Sequence, residues 1–376
     1  MDIAIVTTRL VDKDAQGNFT AATASVLKKK CGGRVSIYTF AYERPFIEGV
    51  DVHFMAGKNG HSLLSNAKVF LRTDALAKEL SRYDALLLIG PDAGALPAAH
   101  RAKRYNPALK LLWVYHGLTP ARFLSGLREK ALTRFRRIAY LRSMRRSDLV
   151  QTFSQYIKNE LSGEGIDPSK IVVMPFGIDT AKLSSGDRDR VRDMYGMGDG
   201  FLVMYVGRLA SLKRVDELIQ AMALIKEQDI RLMIVGGGPE RERLELLSRK
   251  LGVDNRVTFA GRVGDEELPD YYAACDAWAT ASRHEGFCVP IVEAMAAGKP
   301  VIVPSVAAMP ETAGEAGLMY KAGDVESLGR MITWLISDRE LYDARSGRAL
   351  ERAKIFEMAD VLEKYSMFII NSVRGL

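Results

Sequence analysis

The stretch RHEGFCVPIVEAMAAGKPV (residues 283–301) sets two glutamates, Glu285 and Glu293, around the start of a short helical pattern. Pro290 suits the first position of a helix, where no N–H is needed. Gly298 and Pro300 suit its end, and Ala294, Ala296 and Ala297 are small packing residues. Gly286 lets the backbone approach a ligand closely. Unpaired N–H groups around Phe287, Cys288 and Val289 would point at an anion, with the helix dipole behind them. Glu293, read as part of the first turn, can accept hydrogen bonds from a vicinal diol such as a ribose. The two carboxylates then bracket one elongated ligand, although a capping acid followed by a dipole-favoured acid has the same spacing. A metal site is excluded, because His284-Glu285 opens like H-E-x-x-H but lacks the second histidine, and Pro290 breaks the required helix. A hydrolytic carboxylate pair has no support, since such pairs flank the scissile bond from opposite sides.

Working outward, short runs rich in Val, Ile and Leu recur at 3–6, 35–40, 86–89, 111–115, 149–153 and 171–174. A second series lies at 201–206, 231–235, 257–260, 277–280 and 301–303. Runs that are apolar at nearly every position predict strands buried on both faces, as in parallel sheets. Helical patterns, such as 215–226 and 241–251, lie between many of them. The alternation predicts an α/β fold with two doubly wound, Rossmann-like domains. The stretch PFGIDTAKLSSGDRDR (175–190), where Gly, Ser and charge replace the strand pattern, reads as the hinge. The expected division is 1–178, 179–355 and a C-terminal helix over 356–376. Ligands of such sheets bind beyond the carboxyl ends of the strands, so two facing sheets would make an interdomain cleft lined by those loops.

Bulk composition narrows the partners. The 376 residues carry 53 Lys and Arg against 46 Asp and Glu, a formal charge of +7, which favours anionic partners. The three cysteines, Cys31, Cys275 and Cys288, are scattered, which fits a reducing cytosol better than a disulfide framework. The start MDIAIVTTRL lacks the features of a signal peptide, and no apolar run approaches the ~18 residues of a membrane span. A cytoplasmic protein, at most peripheral on a membrane, is expected.

Other strand ends carry candidate side chains. In VGRLASLKR, Gly207 permits a tight turn, and Arg208 and Lys213 flank a short loop before a helix. Two cations there suit a diphosphate, although two ordinary surface basics would look the same. GGGPERERLELL (236–247) can bring N–H groups near a phosphate or can be a plain tight turn. It lacks the G-x-G-x-x-G fingerprint of a nicotinamide cofactor. His116, in VYHGLTP, sits at a strand end and is suited to polar contact with a ligand, or is a satisfied structural histidine. The polar stretch TTRLVDKDAQGNFT (7–20), holding Gly17, reads as a loop, either near the ligand or simply on the surface. Finally, RFLSGLREKALTRFRRIAYLRSMRR (122–146, with Arg122 and Arg146 at its ends) carries nine basic residues and one acid. Leu124, Leu127, Ala131, Phe135 and Ile138 form an apolar stripe beside Lys130, Arg134 and Arg137. The segment reads either as a surface for an anionic membrane or as a core-packed helix with a solvated basic face. Nucleic acid is not expected, because no aromatic interleaving or nucleic-acid motif accompanies the charge.

Taken together, VYHG, VVMPFGID, YVGRLASLKR, IVGGGPE and EGFCVPIVEAMAAGKPVI resemble, in combination and order, the large retaining glycosyltransferase group called family 4, which has the GT-B fold. The resemblance is densest over 207–302. It implies that Arg208 and Lys213 hold the diphosphate of a nucleotide sugar and stabilise its departure, so that no cofactor or metal is required. It implies that Glu293 binds the ribose, and that Glu285 contacts the donor sugar with N–H groups from Gly286, Phe287 and Cys288. His116 would lie near that sugar from the first domain, the loop around Gly17 would close over the phosphates, and Arg262 and Val263 would lie near the base. The tail beyond about Phe356 would cross back onto the first domain. The sequence departs from the family pattern at Asn18 after Gly17, at Phe176 in place of Asn, and at Cys288-Val289 in place of Gly-Leu. The implied enzyme is a hexosyltransferase using a UDP- or GDP-linked sugar and a glycan or lipid-linked acceptor. A GT-B sugar-nucleotide epimerase and a non-catalytic module binding anionic lipid or glycan are the alternatives.

Overall fold

The computed structural model describes all residues except 12–14, 44–46, 56–72, 91–94, 124–125, 227–228 and 376, with backbone alone at 9, 11, 15–16, 41–43 and 122. The chain divides into two compact units, Met1–Gly177 with Ala359–Leu376, and Ile178–Met358.

In the first unit the described strands are β1 (Ile3–Thr7), β2 (Arg9–Val11), β3 (Val35–Thr39), β4 (Ala41–Glu43), β5 (Val50–Phe54), β6 (Ala85–Ile89), β7 (Lys110–Tyr115), β8 (Leu149–Thr152) and β9 (Ile171–Val173). Seven of them form one parallel sheet in the order β5-β3-β1-β6-β7-β8-β9, and β2 pairs with β4 alone. Every residue of β1, β3 and β6 is buried, as expected of strands covered on both faces. The C-terminal helix Met358–Arg374 belongs chiefly to this unit. Its Tyr365 ring stacks at 5.6 Å on Phe19, which also packs at 4.7 Å on Phe176. Phe176, the departure from the family's usual Asn, is therefore a core residue here.

The second unit holds β10 (Phe201–Val206), β11 (Ile230–Val235), β12 (Val257–Gly261), β13 (Ala277–Ala279), β14 (Val301–Pro304) and β15 (Gly317–Tyr320), in the parallel order β12-β11-β10-β13-β14-β15. In both sheets the order reverses beside the first strand, between β1 and β6 and between β10 and β13. That reversal is where doubly wound sheets bind ligands, beyond the carboxyl ends of the strands.

The structure departs from the sequence reading in four places. β5 and β15 are edge strands whose burial is mixed; β5 (VDVHF) alternates apolar and polar residues in place of the all-apolar run that marks a central strand, and β15 (GLMY) is short and opens on glycine. The stretch 175–190 is not irregular throughout: Asp179 and Asp187 cap the helices Thr180–Ser184 and Arg188–Tyr195. Gly17 is not in a loop but buried near the start of the helix Ala15–Cys31. The small β2–β4 pair and this helix take up most of the polar stretch, and its residues 12–14 lie outside those described. Glu293 lies in the second turn of its helix, Val289–Ala296, rather than the first.

The ends of β10 and β11 converge backbone on backbone. Gly236 has φ +135°, and a Cβ there would stand 1.9 Å from the Gly207 carbonyl oxygen. Gly207 N–H donates to Val235 O (2.9 Å), and Leu209 N–H to Gly237 O (3.0 Å). The glycine run is thus a close-packed turn. Gly236→Ala is expected to cost about 3 kcal/mol or more through overpacking and backbone strain. A melting temperature within 1 °C of wild type would contradict this packing.

Candidate functional site

The switch point of the second sheet assembles most of the sequence-predicted residues. Arg208 follows β10 and is exposed, with no ion pair or side-chain hydrogen bond among the described residues. Lys213 ends the single turn Ser211–Lys213, and its ammonium is ion-paired with the Glu285 carboxylate, which comes from the loop after β13. Burial pulls the Lys213 pKa down. The Glu285 carboxylate more than offsets this, so the ammonium sits above its ordinary range and stays charged.

Two further contacts hold this pair in place. Arg283 N–H donates to Leu212 O at 3.0 Å, tying the turn to the loop. The Arg283 guanidinium also grips both oxygens of Glu217, Nη1 reaching Oε2 at 3.1 Å and Nη2 reaching Oε1. Glu217 is only 3% exposed, in the first turn of the helix Val215–Leu224, and Arg214 Nη2 adds a third contact at 3.0 Å. A buried carboxylate persists only with such partners. Sequence reasoning assigned no role to Arg283 or Glu217; nothing in their local spacing marks a pair 66 residues apart.

The loop 285–288 enters the helix Val289–Ala296 through Cys288, whose backbone is left-handed (φ 72°, ψ 72°), and Pro290 stands at the second helical position, one after the first. The N–H groups of Cys288 and Val289 have no hydrogen-bond partner among the described residues. Unpaired N–H groups at a helix start form an anion site. Gly286 and Phe287 belong to the same loop. The Cys288 thiol is buried, and burial, then the neighbouring Glu285, push its pKa up; it is a neutral wall of the site, not a nucleophile.

Glu293 stands on the same helix, partly buried, and accepts from the Tyr272 hydroxyl at 2.7 Å through Oε2. Burial raises its pKa from the ordinary 4.5 to about 7, against the lowering effect of the Tyr272 bond. Tyr272, missed in the sequence, lies on the helix Leu268–Ala274. Arg262 is exposed after β12, and its Nε would stand 3.3 Å from a Cβ at Gly237. Val263 beside it is half-buried.

Two candidates belong to the first unit. Gly17 is described above. His116 follows β7. Its ring lies 4.7 Å from that of Phe153, and its Nε2 is buried without a partner among the described residues. Burial pulls its pKa to about 4, so the imidazole is neutral at physiological pH. Among the described residues no group of three His, Cys, Asp or Glu side chains is placed to hold a metal ion.

Two family models match the chain. The family described as "Glycosyl transferases group 1" matches residues 187–352, and "Glycosyltransferase Family 4" matches residues 16–182. The chain belongs to this glycosyltransferase group, and its fold is GT-B. It is 31% identical over 205 residues to the GDP-mannose-dependent alpha-(1-6)-phosphatidylinositol monomannoside mannosyltransferase of Mycolicibacterium smegmatis, covering 51% of this chain and 54% of that one. The chain thus spans about half the length of the curated relatives it matches. Among solved structures, Anabaena HepE in complex with UDP-glucose superposes with a TM-score of 0.79 at 21% identity, covering 98% of this chain and 99% of that one. The sucrose-phosphate synthase of Thermosynechococcus elongatus reaches 0.82 at 20% identity, covering all of both chains.

The Glu293 shift has a defined sign. A carboxyl whose folded pKa is raised contributes stability that is complete below about 4.5 and lost as pH rises through about 7. Glu293→Gln removes that loss, which amounts to up to about 3 kcal/mol above pH 7. The variant should melt higher than wild type at pH 8 and show a flatter profile between pH 4.5 and 7. Parallel profiles for the two proteins would contradict a buried, proton-holding Glu293.

Proposed function

We propose that the protein moves a hexose-type sugar from a nucleotide diphosphate sugar to a hydroxyl of a glycan or lipid-linked acceptor, with retention of anomeric configuration. The observation that carries this reading is the fixed Lys213–Glu285 pair at the sheet's switch point, with Arg208 and two N–H groups that have no partner among the described residues. The donor lies with its diphosphate on Arg208, Lys213 and the N–H groups of the 286–288 loop, its ribose on Glu293, its sugar on Glu285 and its base near Arg262 and Val263. His116 contacts the sugar as a neutral partner, and the segment at Gly17 approaches the phosphates.

The chemical barrier is departure of the nucleotide with an oxocarbenium-like sugar. Preformed positive charge opposes the charge growing on the diphosphate and needs no reorganisation in the transition state. The sugar–oxygen bond to the phosphate breaks as the acceptor oxygen bonds to the anomeric carbon on the same face. The leaving phosphate takes the acceptor proton. Neither a metal ion nor an enzymic nucleophile enters this scheme. The relative from M. smegmatis is named for GDP-mannose and the HepE complex for UDP-glucose, so either base is a candidate for the donor.

The basic segment supports a lipid-linked acceptor at the cytoplasmic membrane face. The helix Leu127–Arg145 buries Tyr140, Leu141 and Met144, yet Leu127, Leu132, Phe135 and Ile138 are 51–85% exposed. Arg128, Arg134 and Arg136 lie exposed on the same turns. An apolar stripe exposed among the described residues and flanked by arginines suits an anionic lipid surface. No helix of the described residues is long and apolar enough to cross a membrane. Leu124 lies outside the described residues.

A panel of UDP- and GDP-sugars, read by nucleotide release with and without lipid extract, tests the reaction. Release that requires acceptor supports transfer, interconversion of donor alone supports an epimerase, and lipid binding without turnover supports a binding module. Lys213→Ala should lower turnover about 10²–10³-fold, the scale of one preorganised electrostatic contact; unchanged turnover would take Lys213 out of the site. Wild type should float with acidic vesicles at low salt, and Phe135→Glu with Ile138→Glu should weaken this at least tenfold. Absence of wild-type binding at low salt would remove the membrane from the scheme.

A further inference from the structure

We propose that Thr312 is a positioning residue that turns one backbone N–H toward the donor diphosphate, a role that rests on the function proposed above. Thr312 is 2% exposed, on the helix Met309–Ala313 that follows β14. A helical threonine ordinarily returns its hydroxyl to the carbonyl four residues back, and Ala308 O is 3.1 Å away. The Phe287 carbonyl is closer, at 2.6 Å. A hydroxyl has one proton to donate, and the shorter contact takes it.

That carbonyl belongs to the Phe287–Cys288 peptide. In a planar trans peptide the N–H points opposite to the C=O. Drawing the Phe287 oxygen into the protein therefore turns the Cys288 N–H outward, and that N–H has no partner among the described residues. The orientation is not one Cys288 would choose, since a left-handed residue with a Cβ costs about 1 kcal/mol relative to glycine. It is clamped on both sides, Thr312 holding the preceding carbonyl and Ile291 N–H the Cys288 carbonyl at 3.0 Å. The same short segment supplies another clamp on this loop. Ala308 N–H donates to Glu285 O at 3.2 Å, and Ala307 before it is itself left-handed at φ 55°. Residues 307–312 thus act as a template for the loop 285–288.

Without the hydroxyl, the buried Phe287 carbonyl loses the Thr312 bond, and a flip of the peptide would relieve both that loss and the strain at Cys288. The flip would present an acceptor oxygen, not a donor N–H, to the diphosphate. Losing one hydrogen bond to a charged group weakens binding about 10- to 100-fold.

The test compares Thr312→Val, Thr312→Ala and Thr312→Ser in the full chain, by calorimetric titration with UDP and GDP and with uridine and guanosine. Val and Ala should lose about 10- to 100-fold in affinity for whichever nucleoside diphosphate wild type binds, with nucleoside affinity within twofold. Ser, which keeps the hydroxyl, should match wild type, and the Ser–Ala comparison stands if Val fails to fold. Diphosphate affinity of the Ala variant within twofold of the Ser variant would overturn the proposal, as would an equal loss for nucleoside and diphosphate. Wild type binding neither UDP nor GDP would sink the proposed function and this inference together, whereas wild-type binding with an insensitive Ala variant sinks only this one.

Discussion

The ion pair between Lys213 and Glu285 joins two segments 72 residues apart in sequence, and the arrangement of the second unit's switch point follows from it. Neither partner could hold its place alone. Lys213 sits on a single turn and Glu285 on a loop with no regular structure. What fixes them is a second pair one layer deeper, Arg283 with Glu217, and the backbone bond from Arg283 to Leu212. The four residues form two ion pairs, Glu217 with Arg283 and Lys213 with Glu285, and the charges of Glu217 and Glu285 are largely removed from water. Removing one member of such a set strands a charge at a cost of several kcal/mol, so the set forms together or not at all. Arg208 stands outside it, exposed. One cation is thus built into the protein and the other stays exposed.

The same region concentrates the backbone strain of the second unit. The non-glycine residues with positive φ among those described are Arg214, Cys288 and Ala307. Arg214 follows Lys213, Cys288 ends the Glu285 loop, and Ala307 precedes the N–H that bonds Glu285 O. Residues in such conformations persist only where their surroundings over-determine them. Here the surroundings are the charge set on one side and residues 307–312 on the other. The outliers therefore mark where the fold has been held to one shape.

The sequence made the central strands legible because burial on both faces leaves an unbroken apolar run. It hid β5 because polar residues alternate through its run, and β15 because four residues opening on glycine make a short signal. Arg208, Lys213, Glu285 and the helix entering at Pro290 were readable as a motif, since glycine, proline and charge at strand ends have few uses. Gly17 was misread because a polar run before a helix looks like a loop. The helix itself begins only two residues before Gly17, and a buried glycine gives no local sign of it. Thr312 and Tyr272 were invisible for a different reason. Each acts through one hydrogen bond across the fold, to Phe287 O and to Glu293, and no periodicity encodes such a bond.

Protonation states in the protein are sorted by environment. The Lys213 ammonium is held above its usual range by Glu285, despite burial. The thiol of Cys288 and the hydroxyls of Tyr205 and Tyr272 are pushed up by burial and neighbouring carboxylates, and stay neutral. His116, in the first unit, is kept neutral by burial alone. Of these shifted groups, only Glu293 is brought near neutrality, at about 7. Its proton is held by desolvation, and a ligand that donates hydrogen bonds to the carboxylate would release it by stabilising the charged form. A diol does that, whereas a phosphate repels the same charge. In the proposed function, the helix that carries Glu293 meets its ligand in two places, an anion at its N-terminus and a neutral donor of hydrogen bonds one turn on. A nucleotide presents phosphate and ribose in that order.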